Sequence, residues 1–492
     1  MKAFLRAALV RPATLDRSVW PVALRALRAL RFNAIDVPVV WREHDRGAGD
    51  LDFERARDLA AFLDLVEAEG LVALVRLGPT CAEEAPALGV PDRLLRDPSV
   101  CARTRRGNPV VALDGLRVIP VPSLASGRWR EEVTAWVKSA ASVLAPYAAR
   151  GVVRSVVVGP SAQPMSRDAP SDRDHHPDLP AAGDDAAVAR ALRADYLRLL
   201  AVAAESGGVP AERVVVAPGG NPLAHPAALD LSGERELFLR APSPRWGTEG
   251  LWRVARLAAT LPKGAVVEVR SGGPAFAAPV RATHALQAAR AVLAAGPAAV
   301  TVAAGCVGHR WTGALLDERG APRAHAAHWG RALEAAESWP LAEASRERAG
   351  VVEVDAERVD AWWRAPGLDA LPRAALLGGL AHPTRAVAGG EDGSFELERS
   401  LQLGASPWTL ASSASWCAPA DESFAATLDP PGSALLRAVD GPDGRWLFAV
   451  SASEETATLR TAAPWRDEVG DEVVELAVTE GAVRVLSQEA RR

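Results

Sequence analysis

FNAIDVPVVWREHDRGAGDLDFERARDLAAFLDLVEAEGLVALVRLGP, residues 32–79, contains one complete unit of a pattern that runs through most of the chain. AIDVPVVW, 34–41, is apolar and β-branched and reads as a buried strand. Residues 54–69 carry apolar side chains at helical spacing, and Gly70 stands where a helix C-cap glycine belongs. LVALVRLG, 71–78, is again a strand. A strand, a helix and a second strand, each strand a near-continuous apolar run, make a parallel unit, because strands flanked by helices are buried on both faces.

The same alternation extends in both directions. Upstream lie a strand at 3–10 and a helix at 18–31; downstream, a helix at 129–149 leads to the strand RSVVVG, 154–159. Further strands are expected at 213–218, 236–242, 265–273 and 298–305, with helices at 184–206, 249–260, after 282 and at 323–338. Eight such strands favour an α/β architecture of the (β/α)8 TIM-barrel type over an open doubly wound sheet. No glycine-rich dinucleotide fingerprint follows the first strand, and SGG and GGPAF (271–276) lack the Lys-Ser/Thr of a phosphate loop.

After about residue 342 the texture changes. Residues 343–393 mix strand and helix signals as an α/β connecting segment, and 394–492 read as short antiparallel strands separated by turns such as GPDG (441–444). The expectation is a barrel over 1–342, the connecting segment, and a small C-terminal β-sandwich. A net charge of −5 with mixed signs gives no electrostatic grip on nucleic acid or an anionic membrane. Cys81, Cys101, Cys306 and Cys417 are too far apart for a Cys-x-x-Cys metal site. The stretch MKAFLRAALVRP lacks the apolar core and cleavage site of a secretory leader and reads as the first strand. No apolar run is long enough to span a bilayer. These features place the chain in the cytoplasm by default and call for no cofactor.

Residues 32–79, followed by CAEE and LGVPDRLL, resemble glycoside hydrolase family 35, the β-galactosidase family. That family has a strand ending in Trp-x-x-His-Glu, a Gly-x-x-Asp-Phe helix start and a Gly-Pro-Tyr-Ile-Cys-Ala-Glu-Trp segment. Here His44 stands but Asp45 replaces the Glu; Cys81, Ala82 and Glu83 match, while Thr80 and Glu84 fall at the aromatic positions. GALLDERGAPRAHAAHWGRAL, 313–333, resembles the family's entry into its last helix.

The resemblance implies two catalytic glutamates, an acid/base after the fourth strand and a nucleophile ending the seventh. Glu268, in VVEVRSGG, falls at the nucleophile position; a carboxylate among Val266, Val267 and Val269 needs a partner, so a structural ion pair is the competing reading. At the fourth strand the family's Val-Gln-Val-Glu-Asn-Glu-Tyr-Gly becomes VVVGPSAQ, 156–163, with Gly159 and Ser161 at the two Glu positions. Ser161 thus stands at the lost acid/base. A hydroxyl cannot replace it, since retaining hydrolysis uses two carboxyl groups ~5–5.5 Å apart. The family's Asn-Leu-Tyr in the eighth strand has become Thr301, Val302 and Ala303.

The substrate-binding candidates are Glu83, Ala82, Trp41, His44 and Trp311; Trp41 and Trp311 lie at strand ends, where an aromatic ring either packs or stacks on a sugar. Asp168, Asp172 and Asp174, in the loop after the fourth strand, are the candidate replacement acids. His175 and His176 are adjacent and have no matching metal-ligand set. The expected partner is carbohydrate, a β-galactoside by resemblance. Three readings follow: a barrel with lost or remodelled hydrolysis that binds carbohydrate; an active retaining β-glycosidase using Glu268 and a non-standard acid; and an interaction scaffold with a vestigial pocket.

Overall fold

The computed structural model describes residues 4–339, except 48–49, 55–56, 83–84, 115–116, 162–173, 180–184, 220–230, 232, 242–248, 262, 275–281 and 309–310. Beyond these it describes 350–353, 384–387 and 426–489, except 430–433, 442–443, 452–455 and 480–481. The expected strand at 394–403, Cys417 and the expected helices within 354–383 lie outside the described residues.

Eight parallel strands close a barrel: β1 (Leu5–Val10), β2 (Ala34–Pro38), β3 (Val72–Gly78), β4 (Val153–Val158), β5 (Val214–Val216), β6 (Glu236–Arg240), β7 (Ala265–Arg270) and β8 (Ala299–Cys306). Each pairs with its neighbours in sequence, and β8 closes on β1 with Leu5 opposite Ala299. The outer layer holds α1 (Trp20–Ala29), α2 (Leu59–Ala68), α3 (Gly127–Arg150), α4 (Asp185–Ser206), α5 (Glu249–Thr260), α6 (Ala282–Ala295) and α7 (Ala326–Ala336). None of the described helices is long and apolar enough to cross a membrane.

Local chemistry sets the helix ends. α2 begins at Leu59, later than the apolar periodicity suggests, because Asp58 Oδ1 accepts from Ala61 N at 2.9 Å and satisfies a free first-turn amide. Ser126 caps α3 in the same way through Trp129 N at 3.2 Å, and Gly151, at φ +87°, ends it.

Inside the barrel, alternate residues point inward. Leu74, Val157, Val215, Phe238, Val266 and Ala299 fill the lower interior as one apolar cluster. The next inward position on each strand lies nearer the C-terminal rim, where barrel sites form. Trp311 caps part of that rim, packed with Leu9, Ala303 and Ala304 at the ends of β1 and β8.

The C-terminal domain is antiparallel: β9 (Ala426–Asp429), β10 (Ala434–Gly441), β11 (Gly444–Ser451), β12 (Ala457–Arg466), β13 (Glu472–Val478) and β14 (Val483–Glu489). They pair in the order β9-β12-β14-β11-β10, with β13 also on β12. This domain packs on the barrel. Phe448, Val450, Val483 and Val485 belong to the same apolar core as the barrel helices. Trp339 meets Phe448 edge-on at 5.6 Å, and Arg290 of α6 reaches Glu468 and the carbonyl of Val483.

Candidate active site

Charged side chains occupy the inner face just above the apolar layer. Arg76 of β3 and Asp36 of β2 are both buried, and Arg76 Nε donates to both oxygens of Asp36, at 2.8 and 3.0 Å. Arg76 Nη2 also pairs with Asp36, and Nη1 pairs with Glu268 Oε2. Thr301 Oγ1 donates to Asp36 Oδ2 at 2.6 Å, and Arg240 Nε approaches Glu268 Oε1 at 3.2 Å. The Arg76 guanidinium lies 4.4 Å over the ring of Phe238. Five side chains from β2, β3, β6, β7 and β8 thus form one ionic layer across the barrel interior.

Burial opposes the charge of Arg76, but Asp36 and Glu268 outweigh it and shift the group upward. Burial likewise pushes the Asp36 carboxyl up, against the pull of Arg76 and Thr301. Arg270, two residues beyond Glu268 on β7, is drawn down to about 10 by burial.

Glu268 therefore has both oxygens engaged by arginines, on the inner face of β7 below the mouth. Asp36, Arg76, Arg240 and Arg270 were not among the candidates from the sequence. Asp36 and Arg76 sit in AIDVPVV and LVALVRLG, so an ionisable group in an apolar strand, the feature that at Glu268 called for a buried partner, also marks these two.

Ser161 follows β4. Its amide donates to Thr80 O at 2.9 Å, and its buried Oγ has no hydrogen-bond partner among the described residues. Gly159 continues the inward face after Val157. It sits at φ +103°, and an added Cβ would overlap the Ala217 carbonyl oxygen of the neighbouring strand and lie 2.9 Å from Leu197 Cδ2. Trp311 is 5% exposed at the mouth, and its Nε1 is also without a hydrogen-bond partner among the described residues. Ala82 is buried with Val40, Cys81 and Ala85. Glu83, Asp168 and Asp172 lie outside the described residues.

Two of the rim candidates turn away from the mouth. Directly after β2 the chain makes a helical turn, Trp41–His44, which carries Trp41 under α3. There its ring lies parallel to Trp136 at 5.7 Å and 5.8 Å from Trp129, and it is 1% exposed, so its faces meet protein instead of a sugar. His44 is buried between Phe53 and Trp136, with Nδ1 2.7 Å from Asp52 O. Asp174, a candidate acid, pins its loop: it accepts from Arg103 N and His176 N at 3.0 Å each and from Ser123 Oγ at 2.5 Å.

The environment of His44 gives a testable pH dependence. Burial draws its pKa down to about 4, against the bond to the Asp52 carbonyl. Between about pH 6.5 and 4 the unfolded chain therefore takes up a proton that the folded chain refuses. Stability contributed by the neutral ring is complete above this window and lost as pH falls through it, by about 3 kcal/mol. In urea unfolding, wild type should lose about that much more stability than His44→Gln between pH 7 and pH 4. Parallel pH profiles for the two proteins would refute the assignment.

The closed parallel barrel thus carries charged side chains beneath its C-terminal mouth and is joined to a β-domain. Residues 2–112 match the family model for glycosyl hydrolases family 35. Over 98 residues the chain is 33% identical to beta-galactosidase-1-like protein 3 of Rattus norvegicus, covering 20% of this chain and 16% of that protein. It is 28% identical to the beta-galactosidase of Mus musculus over 110 residues, 22% of this chain and 17% of that one. The matches thus span about a sixth of these relatives' length. The whole fold is similar to the β-galactosidase of the psychrophilic Marinomonas ef1, with a TM-score of 0.65 at 11% identity, covering 99% of this chain and 100% of that one. The chain is β-galactosidase-like in its N-terminal segment and in its fold.

Proposed function

We propose that this is a β-galactosidase-like barrel that binds carbohydrate at its mouth and has lost or remodelled retaining hydrolysis. The observation that carries the reading is the end of β4. Gly159 and Ser161 stand where the family resemblance expects glutamates, and the space beside Gly159 is filled by Ala217 and Leu197. Glu268, aligned with the nucleophile, lies on the inner face of β7 with Arg76 and Arg240 on its two oxygens. One carboxylate cannot both attack the anomeric carbon and protonate the leaving oxygen. The mouth retains what a polar ligand needs: the buried Ser161 Oγ and Trp311 Nε1, both without protein partners among the described residues.

Lactose and an activated aryl β-galactoside separate the readings, because the activated leaving group needs little protonation. Loss of acid–base help removes ~10²–10⁴ in rate, so lactose turnover should be undetectable while saturable galactoside binding persists. Lactose turnover abolished by Glu268→Gln would favour an active retaining enzyme with a non-standard acid. Absence of both turnover and sugar binding would leave a scaffold.

A further inference from the structure

A further carboxylate stands at the rim, on the helical turn after β2. Its place follows from the alternation along β1. Leu5 belongs to the apolar layer inside the barrel, and Leu9 packs with Ala303, Ala304 and Trp311 at the rim. The alternate positions, Ala8 and Val10, pack with the helices. Arg11 continues the strand, its amide donating to Cys306 O of β8 at 3.0 Å. Its side chain therefore follows Leu9 onto the inner face, one step nearer the mouth. There Arg11 is buried and pairs with Glu43 Oε1. Glu43 lies two residues past Trp41 in the turn Trp41–His44, about 200° around its axis. The turn that carries Trp41 under α3 thus sends Glu43 the other way, to the end of β1.

Arg11 takes one oxygen of Glu43. The other, Oε2, is buried and has no hydrogen-bond partner among the described residues, although the side chain as a whole is 26% exposed. A buried carboxylate oxygen calls for a donor. Ser161 is a second such group on the same rim. Gly159 N donates to Gly78 O and Ser161 N to Thr80 O, so the pairing of β4 with β3 runs on to Ser161. Its side chain therefore shares the inner face of Val157. The residue is 4% exposed, and Oγ has no partner among the described residues.

We propose that Glu43, held by Arg11, determines specificity at the mouth: Oε2 accepts hydrogen bonds from hydroxyls of a neutral sugar, and Ser161 Oγ serves a further hydroxyl. The assignment rests on the carbohydrate-binding reading and deepens it. An ionised carboxylate only accepts, each oxygen offers two lone pairs, and every sugar hydroxyl has a proton to donate. Bonds of this kind are charge-assisted and stronger than those between neutral groups.

Isothermal titration calorimetry on the full chain tests this with methyl β-galactopyranoside and its 2-, 3-, 4- and 6-deoxy analogues. At least one analogue should bind wild type about tenfold or more weaker than the parent, and which one does so identifies the hydroxyl. Glu43→Ala should weaken the parent by about the same factor and leave that analogue's affinity unchanged, since the contact it lacks is already gone. Glu43→Gln should behave alike with the side-chain shape kept, because its amide oxygen stays with Arg11 and a donor replaces Oε2. Thermal unfolding checks that both variants fold. Variants that weaken the parent and all analogues equally would make Glu43 a structural residue and overturn the assignment. Variants that leave every affinity unchanged would overturn it too, and in both cases the carbohydrate reading would stand. If wild type bound none of these sugars, both readings would fall.

Discussion

Arg76→Met should destabilise the fold by about 3–5 kcal/mol, the range found when one partner of a buried ion pair is removed. The substitution removes the donor between Asp36 and Glu268 and leaves two buried carboxylates facing each other across the barrel. Arg240 still reaches Glu268, but among the described contacts Asp36 keeps only the Thr301 hydroxyl. The cost therefore comes from stranded charge, and it should be recoverable by removing the charge. The triple variant Asp36→Val, Arg76→Met, Glu268→Leu should regain most of the loss, since replacing a whole buried ion set with apolar groups is often neutral. Urea unfolding of wild type, single and triple variants measures both effects. A single variant within 1 kcal/mol of wild type would show that the layer does not hold the barrel together.

Gly159→Ala carries the next largest effect, about 3 kcal/mol or more, from a strained left-handed backbone combined with overpacking. The new methyl would overlap the Ala217 carbonyl oxygen, a backbone atom fixed by the hydrogen bond from Ala217 N to Val158 O at 2.7 Å. Gly151→Ala separates the two contributions. Gly151 is also left-handed, at φ +87°, but an added Cβ there meets nothing within 4 Å. It should cost only about 1 kcal/mol, the backbone share alone. Equal losses in the two variants would mean that the end of β4 is not crowded, and would remove the main support for a remodelled acid/base position.

The barrel was legible because its strands are near-continuous apolar runs, as expected of strands buried on both faces. AIDVPVVW, LVALVRLG and RSVVVG need no knowledge of their partners to be read as strands. The site was only half legible. Glu268 was picked out by its place at the family's nucleophile position, and its apolar neighbours called for a partner, yet that partner, Arg76, lies 192 positions away, and nothing local links the two. Trp41 and His44 sit beyond a strand end, as rim residues do, but the helical turn that follows β2 rotates them toward α3. Asp174 looked like a spare acid because its loop follows the fourth strand, on the rim where the acid/base belongs. The Arg103 and His176 amides and the Ser123 hydroxyl make it a clamp, through contacts up to 71 positions distant. Sequence pattern reports which face a residue takes. It does not report which distant residue it meets there.

The contact between Trp339 and Phe448, with Val483 and Val485 in the barrel's own core, bears on how the molecule can be divided. A fragment ending where helices give way to strands would trade a buried aromatic face for water and would tend to self-associate. The change of texture near residue 342 marks a seam in the pattern of the chain, and a cut there would open the side of the barrel.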